Sequence, residues 1–222
     1  MYVSSGYTFF DSIIGKENTS FYNGKSHINE FTSQKNNHRY FMSHDFLDGF
    51  VIYDNQPFFN LKLKYDLLND CIIASLPDDK EFFKLQLVKQ KTDEFTIGGH
   101  KFVSFYSNSQ LKTLGYNGFL EEVFSSNNLN FYIKHHKGAK KRIDGNAVNY
   151  IFKNKSVYLL YYNNEFFIIK SVKNLIKIMP EKSKDIKEFQ KSYKKTFNGD
   201  NDLFITKLIE YIDGGLANHR TK

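Results

Sequence analysis

From Gly49 onward, apolar and polar residues alternate with the period of two that a half-buried strand requires. An apolar run, Phe50 to Tyr53, leads through Asp54-Asn55-Gln56-Pro57 into a segment with Phe59, Leu61, Leu63 and Tyr65 on one face. Phe58, Asn60, Lys62 and Lys64 occupy the other face, so residues 49–66 predict a hairpin with one wet face. The same grammar recurs. "LLND" turns into residues 71–76, "PDDK" turns into 81–90, and Gly98-Gly99 joins 94–97 to 101–106. After a looser stretch, strands are predicted at 118–124, 129–136, 147–153, 156–162 and 165–170. The fold class expected is α+β, mainly β: an antiparallel meander forming a barrel or a sandwich.

The period changes at Ser171. "SVKNLIKIM" reads as a short helix with Ser171 as N-cap, and Pro180 suits the first turn of a second helix, where its missing N–H costs nothing. Ile186, Phe189, Tyr193 and Phe197 form the stripe of that helix. A third, opened by Asp200 or Asn201, carries Phe204, Ile205, Leu208, Ile209 and Ile212 before Gly214-Gly215. Two to three C-terminal helices therefore pack on the sheet. Residues 1–45 are polar and Asn- and Ser-rich, with aromatic pairs at Phe9-Phe10, Phe21-Tyr22 and Tyr40-Phe41, and read as an irregular wrapping segment. The expected organisation is a β-rich domain over 1–170 and a helical extension over 171–222 docked on the same core.

Composition agrees with strands. With 23 Phe, 15 Tyr and no Trp in 222 residues, the apolar load is aromatic, and aromatic side chains favour pleated surfaces. The single cysteine, Cys71, lies in an apolar run and reads as a small buried hydrophobe. Having no disulfide leans towards a reducing compartment without excluding export. No run reaches membrane-spanning length. Charge is lopsided: residues 1–111 hold 11 Lys+Arg against 13 Asp+Glu, net −2, and residues 112–222 hold 20 against 11, net +9. That asymmetry suits an acidic partner.

The densest basic segment is "YIKHHKGAKKR", Tyr132 to Arg142. Adjacent histidines on a strand point to opposite faces, so His135 joins Leu129, Phe131 and Ile133 on the core face while Tyr132, Lys134 and His136 take the polar one. That register argues against one shared metal ion, and the other histidines are scattered without HExxH or Cys partners. Gly138 to Arg142 are read as the turn beyond the strand. Lys134, His136, Lys140, Lys141 and Arg142 form a basic hairpin edge and are the candidate binding residues. Nucleic acid is disfavoured as the partner, because lysines far outnumber arginines and no helix-turn-helix, zinc-finger or RNP pattern occurs.

Catalytic signatures are missing from the sequence: there is no GxSxG, phosphate loop or dinucleotide fingerprint. Glu121 and Glu122 are adjacent on a strand, so only one can face a cavity, and neither has an identifiable partner. No catalytic residue, metal ligand or cofactor is expected, and the function read is a non-enzymatic interaction or accessory protein. The alternatives are a glycan- or polyanion-binding module using a Tyr/Phe sheet face, and a hydrolase whose carboxylates come from distant strands.

Several segments together resemble a family of uncharacterised exported proteins of Bacteroidota. They are "FYNG" (21–24), "NNHRYF" (36–41), "DGFVIYDNQPFFNLKLKYDLLND" (48–70), "IGGHKFV" (97–103), "GYNGFLEEVF" (115–124) and "LIKIMPEKSKDIKEF" (175–189). The resemblance implies export to the periplasm or outer-membrane surface and a protein partner there, as in an accessory subunit of an outer-membrane-associated assembly. It brings no catalytic residues. "MYVSSGYTFF" has neither a basic n-region nor an apolar h-region, so a leader is expected to have been removed.

Overall fold

The computed structural model describes residues 25–27, 31, 36–77, 82–144, 147–193, 196 and 199–220. Strands β1 (Lys25–Ser26), β2 (Leu47–Tyr53), β3 (Gln56–Asp66), β4 (Cys71–Pro77), β5 (Phe82–Gln86), β6 (Thr92–Ile97) and β7 (His100–Ser104) form the first part of a large antiparallel sheet. Strands β8 (Phe119–Ser125), β9 (Leu129–Lys134), β12 (Val157–Tyr162) and β13 (Glu165–Ile169) complete it. Between β9 and β12 the chain makes a separate two-stranded ribbon of β10 (Lys137–Asp144) and β11 (Ala147–Asn154).

Local turn chemistry fixes the hairpins. Asp54 and Asn55 have φ of 54° and 62°, Asn163 and Asn164 have 51° and 64°, and Gly98 and Gly99 have 57° and 86°. Positive φ at both central residues gives the turn whose twist matches two adjacent strands. Registers follow: Tyr53 pairs with Gln56, Ile97 with His100, and Tyr162 with Glu165.

The strand order is β1-β5-β4-β3-β2-β6-β7-β8-β9-β12-β13. One uninterrupted meander is not what forms: after β5 the chain returns past β4 and β3, and β6 pairs with the open side of β2. The sheet does not close into a barrel, since β1 and β13 remain its two ends. It coils over itself in the manner of a sandwich, so the Tyr65 ring of β3 lies edge-on to Phe119 of β8 at 6.0 Å although β2, β6 and β7 intervene. The core inside this coil joins Val51, Leu63, Tyr65, Ile72, Leu85, Phe95, Phe102 and Phe119.

Helices cover the second half of the sheet. Helix α2 (Val172–Ile178) is capped by Ser171, whose Oγ accepts from the Asn174 N–H at 3.1 Å. Pro180 opens a 3-10 turn, Pro180–Lys182, that runs into α3 (Ser183–Tyr193). Asp200 caps α4 (Asn201–Arg220), accepting from Leu203 N–H at 2.9 Å. Leu175, Ile186, Phe189, Leu208, Ile209 and Ile212 bury against Leu129, Phe131 and Ile133 of β9 and Leu160 of β12. The α4 backbone continues through Gly214-Gly215 rather than ending there; each glycine costs a helix only about 1 kcal/mol. No helix among the described residues is long and apolar enough to cross a membrane.

Three further expectations fail for identifiable reasons. The loose stretch before Gly118 contains a further helix, α1 (Ser109–Leu114), capped by Asn108 and ended by left-handed Gly115. Residues 137–144 are strand β10, not a turn, because they pair residue for residue with β11. On the face of β9 expected to be polar, Tyr132 and Lys134 are buried, Tyr132 packing with Leu111 of α1, Leu120, Leu159 and Phe166 of β13. Phe9, Phe10, Phe21, Tyr22 and Phe197 lie outside the described residues, whereas Tyr40 and Phe41 are buried.

Candidate functional site

The candidate binding residues separate into two groups. Lys140, Lys141 and Arg142 lie exposed on β10. Lys141 stands opposite Tyr150 and Ile143 opposite Val148, so these four share one face of the ribbon with Ala139 and Phe152. Lys140 and Arg142 line the opposite face beside Ile151 and Asn149. Ile143 is 66% exposed and Val148 41% exposed, an unusual pairing of large apolar side chains left in water towards the far end of a ribbon. Near its base the ribbon is fastened to the body. Phe152 is buried, Phe31 stands edge-on to Tyr150 at 4.9 Å, and the Asn37 amide satisfies both backbone groups of Phe152, donating to its carbonyl at 3.1 Å and accepting from its N–H at 2.7 Å. Among the described residues no strand pairs with the other edge of β10.

Lys134 is elsewhere. Its Nζ is buried and donates to Asp70 Oδ1 at 2.8 Å and to the Phe119 carbonyl at 3.2 Å. Asp70 also accepts from the hydroxyls of Tyr65 at 2.5 Å and Tyr106 at 2.6 Å. Burial pushes the Lys134 ammonium down, and the Asp70 charge only partly restores it. Burial, reinforced by the same carboxylate, pushes both tyrosine hydroxyls up. This cluster ties the β3–β4 corner to β8 and β9. His136 is half-buried between β9 and β10, and its carbonyl accepts from Lys155 N–H at 2.8 Å.

A second polar cluster escaped the sequence reading. Glu121 lies opposite Phe102 on β7 and Ile133 on β9, which puts it on the inner face of the sheet. Its Oε1 is 2.5 Å from His100 Nδ1 and its Oε2 2.5 Å from His135 Nε2. The Phe41 ring stands edge-on to both imidazoles, at 5.2 Å and 5.0 Å. Burial alone raises the Glu121 carboxyl, but the hydrogen bonds from His135 and His100, with their charges, outweigh it and hold it below the usual range. Both carboxylate oxygens are engaged, which makes the cluster a bridge across β7, β8 and β9 rather than a poised base. Its one sequence signal was the face: His100, Phe102, Glu121 and His135 all sit at inward positions.

The described residues contain no group of three or more His, Cys, Asp or Glu arranged to hold a metal ion. Cys71 is buried, and desolvation, then the Asp66 charge, pushes its thiol up to about 12, far from a reactive thiolate. No protein-family model matches the chain, and neither a curated protein nor a solved structure matches it.

Proposed function

We propose that the protein is a non-enzymatic interaction protein of a bacterial envelope that docks an acidic protein partner through the β10–β11 ribbon. The observation that carries this reading is the ribbon itself, where Lys140, Lys141 and Arg142 adjoin the exposed Ile143–Val148 pair. A two-stranded ribbon is at best marginally stable alone, so apolar residues left in water on it serve contact with something else. Protein interfaces combine such an apolar centre with charged surroundings that steer the encounter. The envelope location rests on the resemblance of residues 48–70 and the accompanying segments to exported proteins.

Photo-crosslinking side chains placed at Ile143 and Val148 test the assignment, with Leu203 on α4 as an exposed control. The reading expects one discrete adduct from the ribbon positions, with a partner that carries an acidic surface, and none from Leu203. Equal yields at all three positions, or only unreacted monomer, contradict it.

A further inference from the structure

We propose that a small cavity on the outer face of the first half of the sheet binds a compact tetrahedral oxyanion, such as phosphate or sulfate. The register builds the floor. Lys64 pairs with Ile73, and Ser75 with Lys84, so Lys64, Ile73 and Lys84 share the face turned away from Leu63, Tyr65 and Leu85. His27 follows β1, and Tyr40, His44 and Phe46 come from the segment laid over this face before β2. Together these seven residues line a cavity of about 150 Å³. That space suits one small anion and falls short of the roughly 300 Å³ at which sites for larger organic ligands begin.

The lining is rich in donors and poor in negative charge. Lys64 Nζ lies 4.8 Å from the Tyr40 ring centroid and 4.4 Å from that of Phe46, so two aromatic faces hold the ammonium at the cavity wall. Among the described residues no carboxylate lies within ion-pair distance of Lys64 or Lys84. The nearest acids are committed or open to water: Asp66 pairs with Arg39 at 2.9 Å and accepts from Leu68 and Asn69, while Asp45, 3.9 Å from His44 Nδ1, is exposed and its charge only partly supports the Lys64 ammonium. More positive charge stands behind. Arg39 Nη2 is 3.5 Å from His27 Nε2, and Lys137 donates to the carbonyls of His38 and Tyr40. Burial and then repulsion from Lys84 push the Lys64 ammonium down, and burial and then Arg39 do the same to His27. Like charges gathered around a partly desolvated space are relieved by an anion that accepts from all of them.

Thermal unfolding at constant ionic strength tests this, using inorganic phosphate, sulfate and glycerol phosphate against sodium chloride. A site occupied about tenfold above its dissociation constant raises the melting temperature of a protein this size by about 4 °C. The Lys64→Met/Lys84→Met double variant should lose that rise, and so should Lys84→Met alone in large part, which guards against a fold defect at Lys64. Histidine ring signals of His27 and His44 should shift on titration in the wild type only. A response to the inorganic anions alone identifies a free-anion site, and a response to glycerol phosphate alone identifies an esterified phosphate. Melting temperatures no higher than in chloride, or an equal rise in the double variant, overturn the proposal, as does a rise that leaves both imidazoles unmoved. The exposed ribbon residues assigned to docking play no part in this site, so either result leaves the docking assignment standing.

Discussion

Glu121 and Lys134 each sit where a charge is costly, and each is made tolerable by partners far away in sequence. Glu121 meets His100 and His135 at 21 and 14 residues' separation, and Lys134 meets Asp70 at 64. Removing the Glu121 charge should cost about 2 kcal/mol at pH 7, the usual loss for hydrogen bonds to a charged group. The sign with pH follows from the direction of the shift: a carboxyl held below its reference of 4.5 stabilises the fold above that value. That contribution fades as pH falls through the lowered value, so Glu121→Gln and wild type should diverge in urea melts at pH 7 and draw together as pH is taken progressively below 4.5. Lys134→Met leaves the Asp70 carboxylate with tyrosine donors only and should destabilise by about 2–3 kcal/mol, the loss usual for hydrogen bonds to a charged group, read by the same melts. Neither partnership was legible beforehand. A strand pattern reports which face a residue takes, whereas the partner across the sheet depends on which strands become neighbours.

At the scale of elements, what the sequence made readable was local. Asp54-Asn55, Gly98-Gly99 and Asn163-Asn164 specify their turns through their own backbone preferences, and Ser171 caps its helix through one side chain. Helix α1 went unseen because six residues are too few to display a helical period, although Asn108 and Gly115 mark both of its ends. The return of β6 to β2 was hidden for a different reason: β2 offers the same alternation to either neighbour. Edge strands are guarded by side-chain amides. Gln110 of α1 donates to the Phe166 carbonyl at 3.2 Å and accepts from its N–H at 2.9 Å, taking the place of a further strand beside β13, as Asn37 does beside β11. Gln110→Ala should accelerate amide hydrogen exchange at Phe166, lower stability by about 1 kcal/mol and promote self-association. Unchanged exchange at Phe166 would show that the edge is protected by something else.

Across the whole molecule, a coiled antiparallel sheet and a helical layer share β8 and β9, and the ribbon leaves this body between β9 and β12. The basic excess of the C-terminal half, noted from composition, is carried in part on that ribbon, but not at Lys134, which the fold draws inward. Lysines on an open edge also deter strand-to-strand aggregation. Glutamate in their place keeps that protection while reversing the charge offered to a partner. Lys140→Glu/Lys141→Glu should therefore melt within about 1 °C of wild type, because exposed substitutions away from packed features change stability little, and Lys140→Glu/Lys141→Glu/Arg142→Glu should stay folded and keep the oligomeric state of wild type. The most direct measurement of the docking account is recovery of the partner from crosslinked envelopes by wild type and by this triple variant side by side. The account predicts a partner recovered with wild type and reduced at least about tenfold with the variant, the loss expected when several steering charges are reversed. Equal recovery by both proteins would contradict it.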